Sequence, residues 1–567
     1  MNIIIVGGVA AGMSCAARLR RLNEQANIIV LEKGRDISVA SCGLPYYVGG
    51  EIADEAALRV QTPASISASL NLDIRVDHEA LSVDAVNRTV AVRTPDGDQT
   101  LSYDALLLAP GARAARLPIP GIDNPAVRSL RTIDDAIAVR SIAQRGGRAV
   151  VIGAGFIGIE AAENLHLAGM DVALVEGSDH VLPPVEEELS SLVRIELERL
   201  GITVIESARV KAIDEGEAGA RVVVEGIEPL DADLVLVAIG ARARTELAES
   251  AGLDLVNGAI GVNEFGRTSA PRIWAAGDAV ASTIFATGAR RPVALAGPAS
   301  RAGRRIADDI IRVLSESGVS TPDSARAFPR PIASPLGTSI VRVGDLEVAM
   351  TGVNARELRA ADKDFTTLHV HHAQHVGYFP GASTIALLAH IDSDGRLLGA
   401  QAVGEEGVAR RIDVLATAIR AGMTVEQLVD LDLAYAPPFG APKDPVNMLG
   451  MVGENVRDSQ VVLWYPWDLE AIRATHLILD VRQPREVAQD PTIPGALAIP
   501  HTQLRVRMDE VRDAADGRPI AVHCRSGVRS YLAARMLEDA GYTAISLSGG
   551  MLTLEAWAIR HPGLIDS

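Results

Sequence analysis

The strongest constraint on how this chain folds is a short pattern that occurs twice. Apolar residues 3–6 lead into a glycine-containing turn, then into a helix rich in alanine and arginine, and then into a second apolar run followed by Glu32. The same order returns between Ala149 and Glu176. A strand, a glycine turn, a helix and a second strand form a βαβ unit that binds a dinucleotide at the turn. The two copies predict an α/β fold with two doubly wound dinucleotide-binding domains.

The first glycine turn matches the dinucleotide pattern only in part. Gly7 and Gly12 are in place, but Val9 occupies the position of the second glycine. Glu32 follows at the end of the next strand, where a carboxylate can accept hydrogen bonds from both ribose hydroxyls. Together these residues predict a first nucleotide site, with its phosphates at the start of a helix.

The second turn carries all three glycines, Gly153, Gly155 and Gly158, and Glu176 stands at the end of its second strand. A carboxylate at this place repels a 2′-phosphate, whereas an arginine nearby would accommodate one. The sequence therefore predicts that the second site prefers NADH to NADPH.

Length, charge and cysteine content narrow the class of protein. A chain of 567 residues is too long for one hydrophobic core, so we expect about three to four domains. The net charge of −18 argues against a nucleic-acid or anionic-membrane partner. The N-terminus lacks the basic start and cleavage site of a secretory signal, which predicts a cytoplasmic protein. Three cysteines, Cys15, Cys42 and Cys524, do not suit a framework of structural disulfides, and no metal site is predicted.

Two further segments belong to the nucleotide-binding region. A strand followed by Gly277 and Asp278 can present a carboxylate to flavin ribityl hydroxyls, and Pro110 and Gly111 mark a crossover out of the first domain. In this order the motifs resemble those of the two-dinucleotide flavoprotein disulfide reductases, over roughly residues 1–450. The resemblance implies FAD at the first turn, a nicotinamide cofactor at the second, and a homodimer formed through a third domain. The implied cofactor positions are Gly7, Gly12, Glu32, Lys33, Pro110, Gly111, Gly277 and Asp278 for FAD, and Gly153, Gly155, Gly158, Glu176 and Gly240 for NADH.

Cys42 stands in the segment Ser-Cys-Gly-Leu-Pro-Tyr-Tyr, soon after the acidic residue of the first site. Many reductases of this class carry a second cysteine five positions later, where this chain has Tyr47. Cys15 lies beside the first glycine turn and is interpreted as a packed side chain. The chemistry is therefore assigned to Cys42 alone. Its thiolate attacks a disulfide sulfur, forms a mixed disulfide, and is regenerated by electrons that pass through the flavin.

The segment around Cys42 resembles the single-cysteine subgroup of coenzyme A disulfide reductases, coenzyme A persulfide reductases, and related NADH oxidases and peroxidases. In the coenzyme A reductases, the tyrosines corresponding to Tyr378 and Tyr435 reach the redox cysteine of the partner subunit. Their hydroxyls could protonate a departing thiolate or sulfide, and core packing is the alternative interpretation.

The same resemblance implies a coenzyme A channel. Arg18 and Arg21 share a helix face and could clamp the nucleotide phosphates, unless that face is simply a solvated basic surface. Ser41 departs from the asparagine usual before the cysteine. The channel positions are Ser14, Arg18, Arg21, Ser38, Ser41 and Lys443.

Near the C-terminus, Cys524 follows a predicted strand and precedes a helix in the segment His-Cys-Arg-Ser-Gly-Val-Arg-Ser. Backbone N–H groups at such a junction stabilise a thiolate or persulfide anion. With residues 479–482 and 493–496, the segment resembles rhodanese, a sulfurtransferase, over about 100 residues. A cysteine phosphatase has five residues between its cysteine and arginine, whereas four separate Cys524 from Arg529. The smaller loop suits sulfur rather than phosphate, and Arg529 is assigned a catalytic role.

These assignments divide the chain into four predicted domains. An FAD-binding domain comprises residues 1–113 and 242–324, and an NAD-binding domain comprises residues 114–241. An α+β dimerisation domain covers residues 325–454, and a rhodanese domain covers residues 461–567. The polar residues 455–460 between the last two are predicted to be a linker, and residues 505–515 of the rhodanese domain are predicted to form a helix.

The predicted function is FAD- and NADH-dependent reduction of coenzyme A persulfide, polysulfide or coenzyme A disulfide at Cys42, with sulfane sulfur carried by Cys524. The expected partners are small thiol or persulfide substrates and a second copy of the chain. Two alternatives stay open: an NADH oxidase or peroxidase that uses a sulfenic acid at Cys42, and a slow redox or sulfur sensor. The sequence does not rank the substrates or identify the sulfur donor.

Overall fold

The computed structural model describes residues 1–217, 219–319 and 328–566. The chain divides into two compact units, one formed by Met1–Gly177 and Ala208–Gly337 and the other by Ser178–Ser207 and Thr338–Ser567. The predicted boundary at residues 324–325 and the final residue, 567, lie outside the described residues. The four predicted domain ranges stay a prediction.

The first unit contains a parallel sheet that carries the first glycine turn. Its central strand, Asn2–Val6, lies between Asn27–Leu31 and Ala105–Leu108. Alternate side chains of this strand enter two separate hydrophobic clusters, so both faces of the sheet are covered. This is why its strands are almost continuously apolar. The strand order is Ile273–Ala275, Ala105–Leu108, Asn2–Val6, Asn27–Leu31 and Asp73–Arg75.

A second parallel sheet carries the second glycine turn. Within the first unit its strands follow the order Asp171–Val175, Arg148–Ile152, Leu234–Val237 and Val127–Arg128. Shorter antiparallel sheets join or flank the two. Their strands are Glu79–Asp84, Thr89–Thr94 and Gly97–Ser102; Val210–Gly216, Gly219–Val224 and Leu230–Ala232; Ala112–Ala114 with Ala241–Ala243; Leu255–Val256 with Ala259–Ile260; and Ser282–Thr283 with Arg290–Arg291. The helices are Ala10–Leu22, Leu44–Gly49, Pro63–Leu70, Ile133–Ala143, Phe156–Leu167, Glu246–Ser250 and Ala296–Glu316.

The second unit combines an antiparallel sheet with a parallel one. The antiparallel strands follow the order Ser339–Val343, Leu346–Gly352, Leu397–Gly404, Thr384–Ile391 and Thr366–Ala373. The parallel strands follow the order Val462–Trp464, Ala544–Leu547, Ile520–His523, Leu477–Asp480 and Leu497–Ala498. The remaining elements of this unit are the strand Thr203–Ile205 and the helices Glu187–Arg199, Ala355–Ala360, Val408–Ala421, Val425–Val429, Pro445–Arg457, Leu469–Thr475, Pro484–Gln489, Met508–Ala515, Val528–Asp539 and Gly550–Ala558.

The predicted α/β class and the two doubly wound sheets are confirmed, and two local predictions need correction. The predicted linker at residues 455–460 begins inside the helix Pro445–Arg457. Asn455, within that helix, accepts a hydrogen bond from the Tyr531 hydroxyl at 3.1 Å, so the segment is held against the last domain. The predicted helix at residues 505–515 is a short 3₁₀ turn, Leu504–Val506, followed by a separate helix, Met508–Ala515.

His523, the last residue of the strand Ile520–His523, is fully buried. Neither of its ring nitrogens has a hydrogen-bond partner within the described residues. Burial lowers the pKa of His523 to about 4 from its ordinary 6.5, although nearby Asp480 opposes the shift. Between these two pH values the unfolded chain binds a proton that the folded chain does not, so stability rises with pH in this window.

We expect the His523→Gln variant to lose part of this pH dependence. In the wild-type protein the melting temperature of the second unit should fall as the pH is lowered from 6.5 towards 4, and the fall should be shallower in the variant. Differential scanning calorimetry across this range measures both slopes. The partly exposed His372, changed to Gln, serves as the matched control, and a variant slope equal to that of wild type would contradict the prediction.

Candidate functional site

The first glycine turn has the geometry that a bound dinucleotide requires. Gly7 has a φ of +108°, and a Cβ on it would lie 2.1 Å from a backbone carbonyl oxygen. A Cβ on Gly12 would lie 1.9 Å from the carbonyl oxygen of Gly7, so only glycine lets the helix Ala10–Leu22 start so close to the strand. Glu32 accepts a hydrogen bond from the N–H of Gly8 at 2.8 Å. The turn therefore fits a pyrophosphate at the helix start and a ribose beside Glu32.

The second glycine turn has the same geometry as the first and carries all three glycines of the dinucleotide pattern. Gly153 has a φ of +99°, and a Cβ on Gly158 would lie 1.8 Å from the Gly153 carbonyl oxygen. Gly155 faces open space, which leaves room for a phosphate to approach the backbone. The buried Glu176 accepts a hydrogen bond from the N–H of Ala154 at 2.6 Å. This places its carboxylate beside the turn, as the predicted contact with ribose requires.

Asp278 lies in the 3₁₀ turn Gly277–Ala279, which is separated from the strand Ile273–Ala275 by one residue. Burial raises the pKa of Asp278, and the guanidinium of Arg131 at 3.5 Å opposes this shift. The carboxylate is thus partly desolvated and available as an acceptor for flavin hydroxyls. Arg131 was not predicted, because no motif marks a lone arginine after a short strand.

Three of the other predicted cofactor positions, Pro110, Gly111 and Gly240, lie at the two chain connections between the parallel sheets. The strands Ala112–Ala114 and Ala241–Ala243 pair antiparallel. They follow Gly111, with a φ of +69°, and Gly240, with a φ of +99°. Pro110 precedes this crossover, and Lys33 is an exposed side chain next to Glu32. The cofactor roles of these four residues stay predictions.

Cys42 is exposed and lies in the 3₁₀ turn Ser41–Gly43, which leads into the helix Leu44–Gly49. A Cβ on Gly43 would lie 2.8 Å from the side chain of Leu58, so the residue after the cysteine is tightly packed. The segment is thus anchored on one side of an accessible thiol. This arrangement suits a cysteine that must meet a substrate disulfide.

The two positions that might have supplied a second thiol are both packed. Tyr47, five residues after Cys42, is buried, and the guanidinium of Arg140 lies 4.3 Å from the centre of its ring. Cys15 is fully buried, and burial together with nearby Asp308 raises the pKa of its thiol. A thiolate at Cys15 is therefore disfavoured at neutral pH.

The predicted coenzyme A positions fall in both units. Arg18 is half-buried and donates to both oxygens of Asp308, at 2.7 and 3.3 Å. Arg21 donates to the carbonyl oxygen of Ala17 at 2.9 Å. Arg18 is thus held by a carboxylate, whereas Arg21 contacts a backbone carbonyl, and the phosphate clamp predicted for the two arginines stays a prediction. Ser14, Ser38 and Ser41 lie in the first unit, whereas the exposed Lys443 lies in the second.

Tyr378 and Tyr435, which are 57 positions apart in the chain, come together in the second unit. Their hydroxyl oxygens lie 3.2 Å apart, within hydrogen-bonding distance. The side chains are 75% and 44% exposed, which excludes the core-packing alternative. The hydrogen bond with Tyr378 raises the pKa of Tyr435, so its hydroxyl keeps its proton at neutral pH.

The rhodanese loop, residues 524–530, begins at the carboxyl end of the strand Ile520–His523. The Sγ of Cys524 accepts hydrogen bonds from the backbone N–H groups of Gly527 at 3.2 Å and Ser530 at 3.3 Å. The Cys524 side chain is fully buried. A Cβ on Gly550 would lie 2.6 Å from the Cys524 carbonyl oxygen, so the next helix starts directly against the loop. These two backbone N–H donors suit a thiolate or a persulfide anion.

Both arginines of the rhodanese loop have carboxylate partners that the sequence did not predict. Arg529 donates to both oxygens of Glu486 at 2.6 and 2.7 Å, and Arg525 donates to Asp490 at 2.8 Å. The Arg529 guanidinium lowers the pKa of Glu486 to about 2. Only the acidic character of residues 486–490 gave a signal, and it did not identify the partners.

Family comparisons agree with this architecture. Residues 1–303 match the family model for pyridine nucleotide-disulphide oxidoreductases. Residues 338–444 match the dimerisation domain of the same family, and residues 467–557 match a rhodanese-like domain. The chain belongs to the pyridine nucleotide-disulphide oxidoreductase family and carries a rhodanese-like domain after the dimerisation domain.

Individual relatives extend the match to the full chain. The chain is 33% identical to a coenzyme A disulfide reductase of Staphylococcus epidermidis over 455 residues, 79% of this chain and 99% of that protein. The crystal structure of reduced Bacillus anthracis CoADR-RHD covers 100% of this chain and 99% of its own, with 37% identity and a TM-score of 0.93. A NAD-dependent persulfide reductase from A. fulgidus covers 98% of this chain and 100% of its own, with 36% identity and a TM-score of 0.88.

The family assignment confirms the enzyme class and the cofactors. The protein is a flavoprotein oxidoreductase, and FAD and NAD(H) are the cofactors of its family. The two glycine turns fit these groups on geometry alone. Within the described ranges, no helix combines the length and apolar character needed to cross a membrane.

The carboxylate of Glu176 generates a prediction about the nicotinamide cofactor. In the Glu176→Gln variant the ratio of kcat/KM for NADPH to that for NADH should rise about tenfold, because a negative charge near the 2′-phosphate is removed. Steady-state kinetics with both nucleotides measure this ratio. The control is Asp171→Asn at the other end of the strand Asp171–Val175, and an equal ratio in both variants would contradict the role of Glu176.

Proposed function

We propose that the protein reduces coenzyme A persulfide or coenzyme A disulfide at Cys42 with electrons from NADH, and that Cys524 supplies sulfane sulfur to the pool of small thiols. The main support for the proposal is the presence of two different thiols in one chain. Cys42 is exposed, whereas the thiol of the rhodanese loop accepts hydrogen bonds from backbone N–H groups. The named activities of the relatives, coenzyme A disulfide reductase and persulfide reductase, support this substrate class.

The first step of the proposed reaction needs only a thiolate at Cys42. It attacks the inner sulfur of coenzyme A persulfide, a Cys42–coenzyme A disulfide forms, the sulfur–sulfur bond of the persulfide breaks, and hydrosulfide leaves. With coenzyme A disulfide, the same attack releases coenzyme A thiolate instead. The exposure of Cys42 allows this approach, and no second thiol of the chain is required.

The second step returns the enzyme to its starting state. With FAD bound, two electrons from NADH reach the mixed disulfide, which yields the Cys42 thiolate, coenzyme A thiol and NAD⁺. The glycine turn at residues 153–158 holds the nicotinamide nucleotide, and the turn at residues 7–12 holds the flavin nucleotide. Both turns therefore act by binding and orientation.

The proton for the departing sulfur is assigned to the tyrosine pair. The hydroxyls of Tyr378 and Tyr435 are exposed and bonded to each other, and the raised pKa of Tyr435 keeps the proton on its hydroxyl at neutral pH. We infer that in a homodimer they lie beside the redox cysteine of the partner subunit. The match to a dimerisation domain supports the homodimer. They would then donate a proton to the leaving sulfide or thiolate.

The reductase half of the proposal predicts a strict dependence on Cys42. Under anaerobic conditions, FAD-loaded protein should oxidise NADH with coenzyme A persulfide and release sulfide, and Cys42→Ser should lower kcat by roughly a thousandfold or more. Cys15→Ala, at a buried thiol, is the matched control and should keep most of the activity. Glutathione persulfide and coenzyme A disulfide in parallel assays rank the carriers. No turnover with any of the three, but rapid NADH loss in air, would contradict the proposal and identify an oxidase.

The sulfur-carrying half predicts a dependence on Cys524. With NADH, coenzyme A thiol and a sulfur donor, Cys524→Ser should slow sulfide release about tenfold or more, measured relative to the same variant's rate on preformed coenzyme A persulfide. This ratio separates loading of the thiol from its reduction. If the ratio in the variant equals that of the wild type, Cys524 does not supply the sulfur, and the reductase assignment stays in place.

A further inference from the structure

The charges of the rhodanese loop are balanced by a single neighbouring segment. Arg525 and Arg529 pair with Asp490 and Glu486, at N–O distances of 2.6–2.8 Å. Glu486 lies in the helix Pro484–Gln489, and Asp490 is the residue that ends it. Both arginines of the loop thus have a carboxylate partner in this helix or at its end.

The other charged groups near the loop add no net positive charge. Arg482 is fully buried and donates to Asp480 at 2.8 Å, so this pair is neutral as a whole. Burial raises the pKa of Glu555, although Arg525 and Arg482 oppose this shift, so this carboxyl adds less negative charge than an exposed one. His523 is neutral at physiological pH because burial lowers its pKa to about 4. Among the described residues, these groups therefore leave the surroundings of Cys524 close to neutral.

This charge balance distinguishes between two classes of sulfur donor. Thiosulfate is a dianion, and its sulfane sulfur transfers to the Cys524 thiolate while sulfite leaves. An organic persulfide delivers the same sulfur as a neutral or singly charged group: the thiolate attacks the outer sulfur, a Cys524 persulfide forms, and a thiolate leaves. A site without net positive charge does not offset the hydration that a dianion loses on entry, whereas a neutral or singly charged persulfide group loses less.

We propose that Asp490 sets the donor specificity of the rhodanese domain, by neutralising Arg525 and so favouring organic persulfides over thiosulfate. The inference rests on the proposed function, because it assumes that Cys524 accepts sulfane sulfur. Asp490 acts through Arg525 and is a specificity-determining residue, not a catalytic one. Cys524 thus carries the sulfur, and Asp490 selects the class of molecule that donates it.

Asp490 is a better test position than Glu486. The carboxylate of Glu486 also accepts the backbone N–H of Gln483 at 2.9 Å, which caps the helix, so its substitution alters local structure. Within the described residues, the Asp490 side chain forms one hydrogen bond, with Arg525. Asp490→Asn keeps the shape and one carbonyl acceptor while it removes the charge. Asp509→Asn is the matched control, because Asp509 forms an exposed ion pair with Arg512 at 2.6 Å in the same domain.

The experiment measures persulfide formation at Cys524 in FAD-loaded, full-length protein without NADH. Thiosulfate or glutathione persulfide is added, samples are quenched by alkylation, and the Cys524 peptide is followed by mass spectrometry as it gains one sulfur atom. Asp490→Asn should raise the second-order rate constant for thiosulfate about tenfold and change that for glutathione persulfide less than about twofold. High salt should narrow the difference between wild type and variant for thiosulfate only.

Three results would overturn the proposal, and they are distinguishable. If Asp490→Asn leaves the thiosulfate rate constant unchanged, Asp490 does not set the specificity. If Asp509→Asn raises it equally, only the overall charge of the domain matters. If neither donor loads Cys524 in any variant while alkylation shows the thiol to be accessible, the sulfur-carrying function itself fails together with this inference.

Discussion

The backbone N–H groups at the start of a helix are the interaction on which all three sites depend. In each case the chain leaves the carboxyl end of a parallel strand, passes through a turn that contains glycine, and enters a helix whose first N–H groups have no partner inside that helix. In the function we propose, an anion accepts hydrogen bonds from these groups: a pyrophosphate at residues 7–12 and 153–158, and a sulfur anion at the rhodanese loop. Gly12 and Gly158 make the first two junctions possible, because a Cβ there would overlap a carbonyl oxygen.

The three cysteines show how environment decides chemistry for one side chain. Cys15 is buried beside a carboxylate, which disfavours its thiolate, and it packs in a hydrophobic cluster. Cys42 is exposed on a turn anchored by buried neighbours, so substrates can reach it. Cys524 is buried but surrounded by N–H donors, so it can hold a sulfur anion shielded from water. The thiol proposed for reduction, Cys42, and the thiol proposed for sulfur transfer, Cys524, therefore lie in different physical environments.

The sequence predicted the parts of the fold that depend on local pattern. The glycine turns, the acidic residues Glu32 and Glu176 and the position of Cys524 between strand and helix follow from periodicity and turn chemistry. Pairs formed by tertiary contact were not accessible in this way. Asp490 and Glu486 lie 35 and 43 positions from their arginine partners in the loop, and Arg18 pairs with Asp308, 290 positions away. The shared role of Tyr378 and Tyr435 is implied only by resemblance to a family, and their hydrogen bond was not predicted, because nothing in their spacing indicates contact.

In the proposed reaction, Cys42 alone carries the covalent intermediate of the reductase. Peptide mass mapping of FAD-loaded protein treated with coenzyme A disulfide in the absence of NADH tests this assignment. We expect coenzyme A bound to the Cys42 peptide, unmodified Cys15, and release of coenzyme A from Cys42 when NADH is added. Coenzyme A on Cys15 or Cys524 with Cys42 unmodified, or an adduct at Cys42 that NADH does not release, would contradict it.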